Sequence, residues 1–444
     1  MRVVNKRIQI IGGGTMFHIR NHLTLVAPAY GTTASQLAFL CYAHPDNKMD
    51  VQVHLSKMCK PITPQMSPST SLFRGETFET HQQLEDLTKR IVEAPLTKIV
   101  FFNPAVVDFG ATINGLLPGS HGERLKSSFY SEENPLKMDL IPLPKIISTI
   151  RKERKDIFLI GFKTTTGATD GEMYLAALDM LKRSSCNLVL ANDVVTRRNM
   201  IVTPEEASYE VSEDRLLVLK QLVDMAFKRS HLTFTRSTVV SGESIPWTSE
   251  LIPNSLRKAV EHCIERGAYK AFNGATVGHF AFKVDDTTFV TSKRKTNFNN
   301  LNETGMVLVK TDGPDTVLAY GAKPSVGGQS QRIIFKQHPG YDCVLHFHCA
   351  MKPGSLVPVR SQKEVECGSH QCGQNTSDGL QEFAGGIKAV FLDNHGPNIV
   401  FNKHINPQLV IDFVEANFDL DTKTGGYQLA AVHAEPGRHP VTVG

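Results

Sequence analysis

Three histidines carry the most specific chemistry in this chain. His346 and His348 stand one residue apart in Tyr341-Asp-Cys-Val-Leu-His346-Phe-His348-Cys349, and His395 stands in Phe391-Leu-Asp-Asn-His395-Gly396. Side chains alternate between the faces of a strand, so Val344, His346 and His348 would share one side while Leu345, Phe347 and Cys349 share the other. Two imidazoles at that spacing on a stiff element make half of a divalent-metal site, and zinc in a catalytic role takes a third protein ligand plus one open position. His395 is the third candidate, because the apolar run from Ala389 to Leu392 ends in a turn that would present its ring at a strand end. The competing reading is a pair of buried histidines hydrogen-bonded inside a sheet, with His395 in a loop. Cys367, His370 and Cys372 also have metal-ligand chemistry, but no fourth ligand accompanies them.

The bulk of the sequence bounds what such a site could serve. A chain of 444 residues exceeds one ordinary core and suggests two or three domains. A formal net charge of +4 is small for this length and argues against nucleic acid as a partner. No apolar run reaches the length of a membrane span, and Met1 to Arg7 runs straight into a strand without room for a signal peptide, so a cytoplasmic protein is expected. Eight scattered cysteines make no disulfide framework and fit a reducing compartment.

In the first half, Ile8-Gln-Ile-Ile11 followed by Gly12-Gly13-Gly14-Thr15 reads as a strand opening into a glycine loop whose N–H groups could approach a phosphate. A loop feeding a helix follows at Ala29 to Ala38, a strand near Val51 to His54, a Pro/Ser-rich surface loop from Lys60 to Ser71, and a helix from His81 to Val92. Strands at Lys98–Phe102, Ile157–Ile160 and Asn187–Ala191 alternate with helices at Leu143–Lys152 and Glu172–Arg183. That alternation implies a mostly parallel sheet covered on both faces, with ligands at the carboxyl ends of the strands. Ser212 to Lys228 reads as an amphipathic helix capped by Ser212, its stripe formed by Leu216, Leu219, Leu222, Val223 and Phe227.

At those strand ends the first half, about residues 7 to 228, resembles the phosphopantothenoylcysteine synthetase domain, a ligase that activates a carboxylate with a nucleoside triphosphate and joins it to cysteine. The motifs occur in order: Gly12-Gly13-Gly14-Thr15, Ala105-Val-Val-Asp108, the basic Arg124-Leu-Lys126, Gly161-Phe162, and Ala191-Asn192-Asp193-Val194. The resemblance implies nucleotide binding, by CTP or ATP with Mg2+, at Gly12, Gly13, Gly14, Thr15, Ala105, Asp108, Lys126, Gly161, Phe162, Asn192 and Asp193. The chain departs from the family at Ala27-Pro-Ala-Tyr-Gly31, where an Asn-x-Ser-Ser-Gly segment is expected, and at Lys163, where an acid is expected.

The second half reads as a helix from Asn254 to Arg266, strands at Gly278–Lys283, Thr288–Thr291 and Met306–Lys310, and a last helix opening at Asn406-Pro407. About residues 251 to 420 resemble the class II aldolase/adducin family, whose zinc ligands fall on His346, His348 and His395. The resemblance places phosphate-binding residues at His279, Thr291, Ser292, Lys293, Arg294, Ser325, Gly327 and Gly328. Zinc there, or a similar divalent cation, would act as a Lewis acid on a carbonyl compound. The family's general-base glutamate is Gly327 in this chain, and the Asn before the strand is His279. Proton transfer is therefore unassigned, with Glu364, Glu366, His370 and Asp393 as candidates near the metal in sequence. A glycine turn at Val326 to Ser330, leading into a helix from Gln331 to Lys336, together with Lys293, Arg294 and Lys295, suggests a more highly charged substrate than a simple sugar monophosphate.

Together the resemblances imply an α/β protein: a Rossmann-like, mostly parallel sheet domain at 1–229, a linker at 230–250, a class II aldolase-like α/β/α metal domain at 251–432, and a tail at 433–444. The implied function is a zinc-dependent lyase-like site for a phosphorylated small molecule, joined to a nucleotide-binding ligase-like domain in a dimer or tetramer. The alternatives are a CTP/ATP-dependent carboxylate–amine ligase with an accessory metal domain, and a non-catalytic adducin-like assembly module. The three histidines count against the last.

Overall fold

The computed structural model describes residues 6–59, 75–113, 115 and 124–429. The Lys60 to Ser71 segment and the expected tail lie outside them. Two compact units emerge: the first comprises Met1–Ala168, Ala176–Val202 and Glu210–Ser230, the second Thr169–Leu175, Thr203–Tyr209 and His231–Gly444.

The sheet of the first unit is built on β1 (Arg7–Arg20), flanked in parallel by β3 (Asp50–Leu55) and β4 (Thr97–Ala105) and paired antiparallel with β2 (Leu23–Ala27). Small β5 (Phe109–Thr112) and β6 (Asp139–Pro142) form a separate pair. Parallel β7 (Phe158–Thr165) and β8 (Leu188–Asp193), then β9 (Asn199–Val202) and β10 (Ser208–Ser212), complete the order β10-β9-β8-β7-β4-β1-β2. Ile8, Ile10, Val100, Phe101, Leu159, Ile160, Leu188 and Leu190 are all fully or almost fully buried, as expected for parallel strands covered on both faces. The intervening helices are α1 (Thr32–Ala43), α2 (His81–Glu93), α3 (Ile147–Glu153), α4 (Asp170–Ser184) and α5 (Arg215–Ser230).

Two local readings change. The expected glycine loop is strand: β1 runs unbroken through Gly12 to Thr15, because it pairs with β4 as far as Gly14↔Ala105 and then with β2 from Thr15↔Ala27. Gly13 takes the bend at φ +99°, a conformation L side chains rarely adopt. Ser212 does not cap α5. It ends β10, and Asp214 Oδ1 accepts from Leu217 N–H instead, while Leu216 of the expected apolar stripe is 45% exposed.

The second unit carries a mostly antiparallel sheet. Its first strand, β11 (Arg236–Val240), lies inside the expected linker 230–250, so those five residues belong to the sheet. A hairpin of β12 (Ala271–Phe272) and β13 (Ala275–Thr276) precedes β14 (His279–Lys283), β15 (Thr288–Ser292), β16 (Met306–Thr311), β17 (Thr316–Tyr320), β18 (Cys343–His346), β19 (Cys349–Met351), β20 (Val359–Arg360), β21 (Gln381–Phe383), β22 (Ile387–Leu392), β23 (Gly396–Phe401) and β24 (Phe418–Lys423). The main order is β11-β17-β16-β15-β14-β18-β23-β22-β20, with β21 on β22 and β19 paired separately with β24. On one face α6 (Asn254–Glu265) packs beside α10 (Pro407–Asn417), where Leu256, Val260 and Val414 share a core with Leu345, Phe347 and Cys349. After the short α7 (Leu301–Thr304), α8 (Gly328–Gln337) covers the other face, burying Ile334 and Phe335 with Val344 and Val400. With α9 (His370–Gly379), this gives an α/β/α layering. The opposite-face assignment of Val344 and Leu345 thus follows the period of two expected of the strand.

Candidate metal and phosphate site

The structure brings His346, His348 and His395 together: one ring nitrogen from each lies within 4.8 Å of the others. His346 ends β18, His348 sits in the two-residue break before β19, and His395 sits in the β22–β23 turn. The break lets the chain redirect after His346, and ring centroids converge at 4.6 Å for His346–His395, 4.8 Å for His348–His395 and 5.0 Å for His346–His348. The turn holds by close approach: Asn394 adopts φ +59°, and Gly396 adopts φ +128° where a Cβ would strike Phe347 O. All three rings are at least nine-tenths buried.

His346 Nδ1 pairs with Pro397 O at 2.7 Å, which fixes Nδ1 as the donor and leaves Nε2 as a lone-pair acceptor. That Nε2 is buried without a hydrogen-bond partner. Burial, reinforced by His395, His279 and His348, pushes the His346 pKa well below its ordinary value, so the ring is neutral, the form that ligates a cation. An orphaned acceptor facing two more imidazoles is what a three-histidine cation site requires. Cys367, His370 and Cys372 do not form a second such group: among the described residues the histidine triad stands alone.

His279 pairs across β14–β18 with His346, their ring centroids 4.7 Å apart. Its Nδ1 takes part in a 2.9 Å hydrogen bond with Gln331 Nε2, and burial lowers its pKa to about 3. The ring fills the space a side chain at position 327 would need: a Cβ there would lie under 3.0 Å from three His279 ring atoms. The small residue at 327 and the ring at 279 are therefore sterically complementary.

Beyond Gly327, the segments 292–294 and 323–325 run side by side, with Ser325 N–H donating to Ser292 O at 3.0 Å and Arg294 N–H to Lys323 O at 3.1 Å. Ser292 Oγ is buried and unpartnered, and Lys293 Nζ donates to Ser244 Oγ at 2.6 Å, its pKa lowered by burial. Ser325 Oγ accepts from Gly327 N–H at 3.3 Å and its carbonyl from Gly328 N–H at 3.2 Å, so the glycine turn caps α8, which starts at Gly328 and not Gln331. Thr291 is turned into the sheet, its hydroxyl donating to Phe280 O at 3.3 Å.

The proton-transfer candidates spread out. Glu364 and Asp393 are exposed, His370 contacts Thr235 Oγ1 at 3.2 Å and Asp315 at 3.5 Å, and Glu366 is buried with its carbonyl taking Ser369 N–H. Sequence reasoning missed Glu206, whose Oε2 lies 2.9 Å from His348 Nδ1. No spacing rule connects two positions so far apart.

In the first unit, Thr15 Oγ1 donates to Ala105 O at 3.2 Å and accepts from Val107 N–H at 2.8 Å, fastening β1 to the end of β4. Gly12 O and Gly14 N–H are engaged with Ser56 N–H and Ala29 O. Asp108 pairs with Lys145 at 2.5 Å, and Lys126 stands over the Phe129 ring. Gly161 lets Met180 approach β7, and Phe162 pairs with Leu190. Asn192 Oδ1 accepts from Thr164, while Asp193 accepts from the N–H groups of Ala168, Val195 and Thr196 and from the Thr165 hydroxyl. Although desolvation opposes it, that set of donors holds the Asp193 carboxyl well below the usual range.

Comparison with known proteins divides along the same lines. The family described as class II aldolase and adducin N-terminal domain matches residues 258–404. The coenzyme A biosynthesis bifunctional protein CoaBC of Thermococcus kodakarensis is 40% identical over 58 residues, 13% of this chain and 14% of that protein, so the match spans about one seventh of that relative. Among solved structures, the DNA/pantothenate metabolism flavoprotein from Streptococcus pneumoniae is 17% identical over 49% of this chain and 97% of its own, with a TM-score of 0.40. An L-fuculose 1-phosphate aldolase is 18% identical over 38% of this chain and 84% of its own, with a TM-score of 0.29. The second half is class II aldolase-like, and the first resembles phosphopantothenoylcysteine synthetase. No helix among the described residues is long and apolar enough to cross a membrane.

Proposed function

We propose that this protein is a two-domain enzyme whose second unit holds a divalent cation, zinc or a similar ion, on His346, His348 and His395 and acts on a phosphorylated carbonyl compound. The observation carrying the proposal is the buried, neutral His346 Nε2, unpartnered and facing two further imidazoles. A bound cation would supply Lewis-acid polarisation of a carbonyl oxygen. The Pro397 carbonyl orients His346, the β22–β23 turn fixes His395, and Ser292, Ser325 and Lys293 offer polar groups for the substrate's phosphate. His279 fills the space that a side chain at position 327 would need, so the surroundings of the triad differ in charge from a site with glutamate there. The first unit is read as the nucleotide-binding, ligase-like partner, with CTP or ATP and Mg2+ at the carboxyl ends of its strands, and the protein as a dimer or tetramer.

Metal analysis of purified protein tests this directly: about one zinc or similar ion per chain, lost in His346→Ala, is expected. A folded, metal-free wild type that takes up no added zinc or cobalt would remove the proposal. The second reading, a nucleotide-dependent carboxylate–amine ligase with an accessory metal unit, draws on the 40% identical stretch shared with the bifunctional relative. Pyrophosphate release from CTP or ATP, dependent on a carboxylate and an amine, would favour it.

A further inference from the structure

His348 Nδ1 lies 2.9 Å from Glu206 Oε2, and the two side chains are only 6% and 4% exposed. Both residues belong to the second compact unit, although Glu206 arrives there on the short segment Thr203–Tyr209. The Nδ1–H direction falls off the line to the oxygen, so separation and enclosure carry the pairing more than alignment does. A carboxylate enclosed beside one ring nitrogen favours the proton on that nitrogen and leaves the other as the lone-pair donor.

The backbone of Glu206 gives an independent reason to look for a role. Its φ of +57° lies in the left-handed region, which costs an ordinary side chain and suits glycine or asparagine. A glutamate kept there is paid for by its surroundings. Its carbonyl accepts from Tyr174 OH at 2.5 Å and from Lys423 Nζ at 2.6 Å, and its N–H donates to Thr203 O at 3.1 Å. The same strap reaches His348 from the other side: Thr424 N–H donates to His348 O at 3.1 Å, and Ser208 N–H to Gly425 O at 2.6 Å. The turn bearing the carboxylate and the backbone bearing the imidazole are thus tied to one strand end.

We propose that Glu206 is a positioning residue for cation binding: it holds His348 with Nδ1 protonated and turns Nε2 toward His346 and His395. This rests on the metal reading of the triad. Pro397 O plays the corresponding part for His346, so two of the three rings present the same nitrogen for the same reason, one through a carbonyl and one through a carboxylate. A carboxylate also makes its imidazole a stronger donor than a carbonyl does.

The test uses the full-length protein with cobalt(II) as the probe, reading affinity by chelator competition and geometry by the visible absorption band. Wild type is expected to bind about one ion per chain, and His346→Ala to bind none. Glu206→Ala should bind roughly 10–100-fold more weakly with an altered band, and Glu206→Gln, which keeps an acceptor oxygen without the charge, should fall between. Glu205→Gln is the control, since its neighbouring buried side chain serves Cys367 N–H and should leave the band unchanged. Wild-type affinity and an unchanged band in both Glu206 variants would overturn the proposal. So would equal losses in Glu205→Gln and Glu206→Gln, which would trace the effect to the turn as a whole. A wild type that binds no cobalt, indistinguishable from every variant, would instead overturn the metal reading beneath it.

Discussion

Gly327→Ala puts the coupling between positions 327 and 279 to a direct test. Gly327 has φ −66° and ψ −3°, angles any L residue adopts, so alanine meets no backbone penalty. By chain entropy alone the substitution would stabilise the protein by about 0.4–1 kcal/mol. Against this, the new Cβ would lie within 3.0 Å of three ring atoms of His279. That ring has little freedom, being 5% exposed, tilted against the His346 ring at 4.7 Å between centroids and hydrogen-bonded to Gln331. Overpacking a buried site costs about 1–3 kcal/mol, and swinging the ring away would add about 1 kcal/mol for the lost hydrogen bond. The net expectation is a loss of roughly 1–3 kcal/mol, or a fall of roughly 2–10 °C in the melting temperature of a unit this size. Thermal unfolding of wild type, Gly327→Ala, His279→Ala and the double variant forms a cycle. The double variant should lose less than the sum of the singles by more than about 0.5 kcal/mol. A Gly327→Ala protein as stable as wild type, or strictly additive losses, would refute the claim that the histidine occupies that space.

Further outcomes follow from other sites. Gly396→Ala should destabilise the β22–β23 turn by at least about 2 kcal/mol and abolish cobalt uptake, because φ +128° and Phe347 O both exclude a side chain; chemical denaturation and cobalt absorption check this. His54 is buried and neutral, its pKa lowered to about 4 by desolvation, with Nε2 bonded to Gln9 and Nδ1 accepting from Glu76 N–H. Its folded pKa lies below its unfolded one, so the stability it contributes is complete above about pH 6.5 and is lost as pH falls toward 4, up to about 3 kcal/mol. A pH series of melting temperatures should show that fall and a shallower one in His54→Gln. Asp193→Ala strips five donors, the N–H groups of Ala168, Val195 and Thr196 and the hydroxyls of Thr165 and Thr196, of their acceptor and should lower the melting temperature measurably. CTP or ATP at 100 times its dissociation constant should stabilise wild type by about 2.7 kcal/mol, and a screen without any shift would deny the first unit a working nucleotide pocket.

The histidine cluster was legible because it depends on local rules. The one-residue spacing of 346 and 348 at the end of an apolar run marked them as a pair, although the strand stops at His346 and its period of two does not carry on to His348, and an apolar run ending before Asn394 announces a turn at 395. The strand break after His346 was not legible, since nothing in Phe347 itself interrupts a strand. The three glycines at 12–14 looked like a loop because glycine weakens strands in general; two partner strands overrode that preference, and only the pairing register reveals it. The segment 230–250 read as a linker because β11 is an exposed strand at the end of the sheet order, so its side chains have the composition of a surface. Ser212 and Asp214 are both good caps, and residue type could not choose between them. Gly327 and His279 were each visible as departures, but their interdependence exists only in three dimensions.

The threading of Thr169–Leu175 and Thr203–Tyr209 into the second unit bears on how this protein can be dissected. A fragment begun at His231 would inherit all three imidazoles yet leave behind Glu206 and Tyr174. The two halves of the gene therefore cannot be parted by one cut into pieces that each keep a full set of parts. A rearrangement that separated them would have to rebuild the support for His348 before the half carrying the three histidines could stand alone.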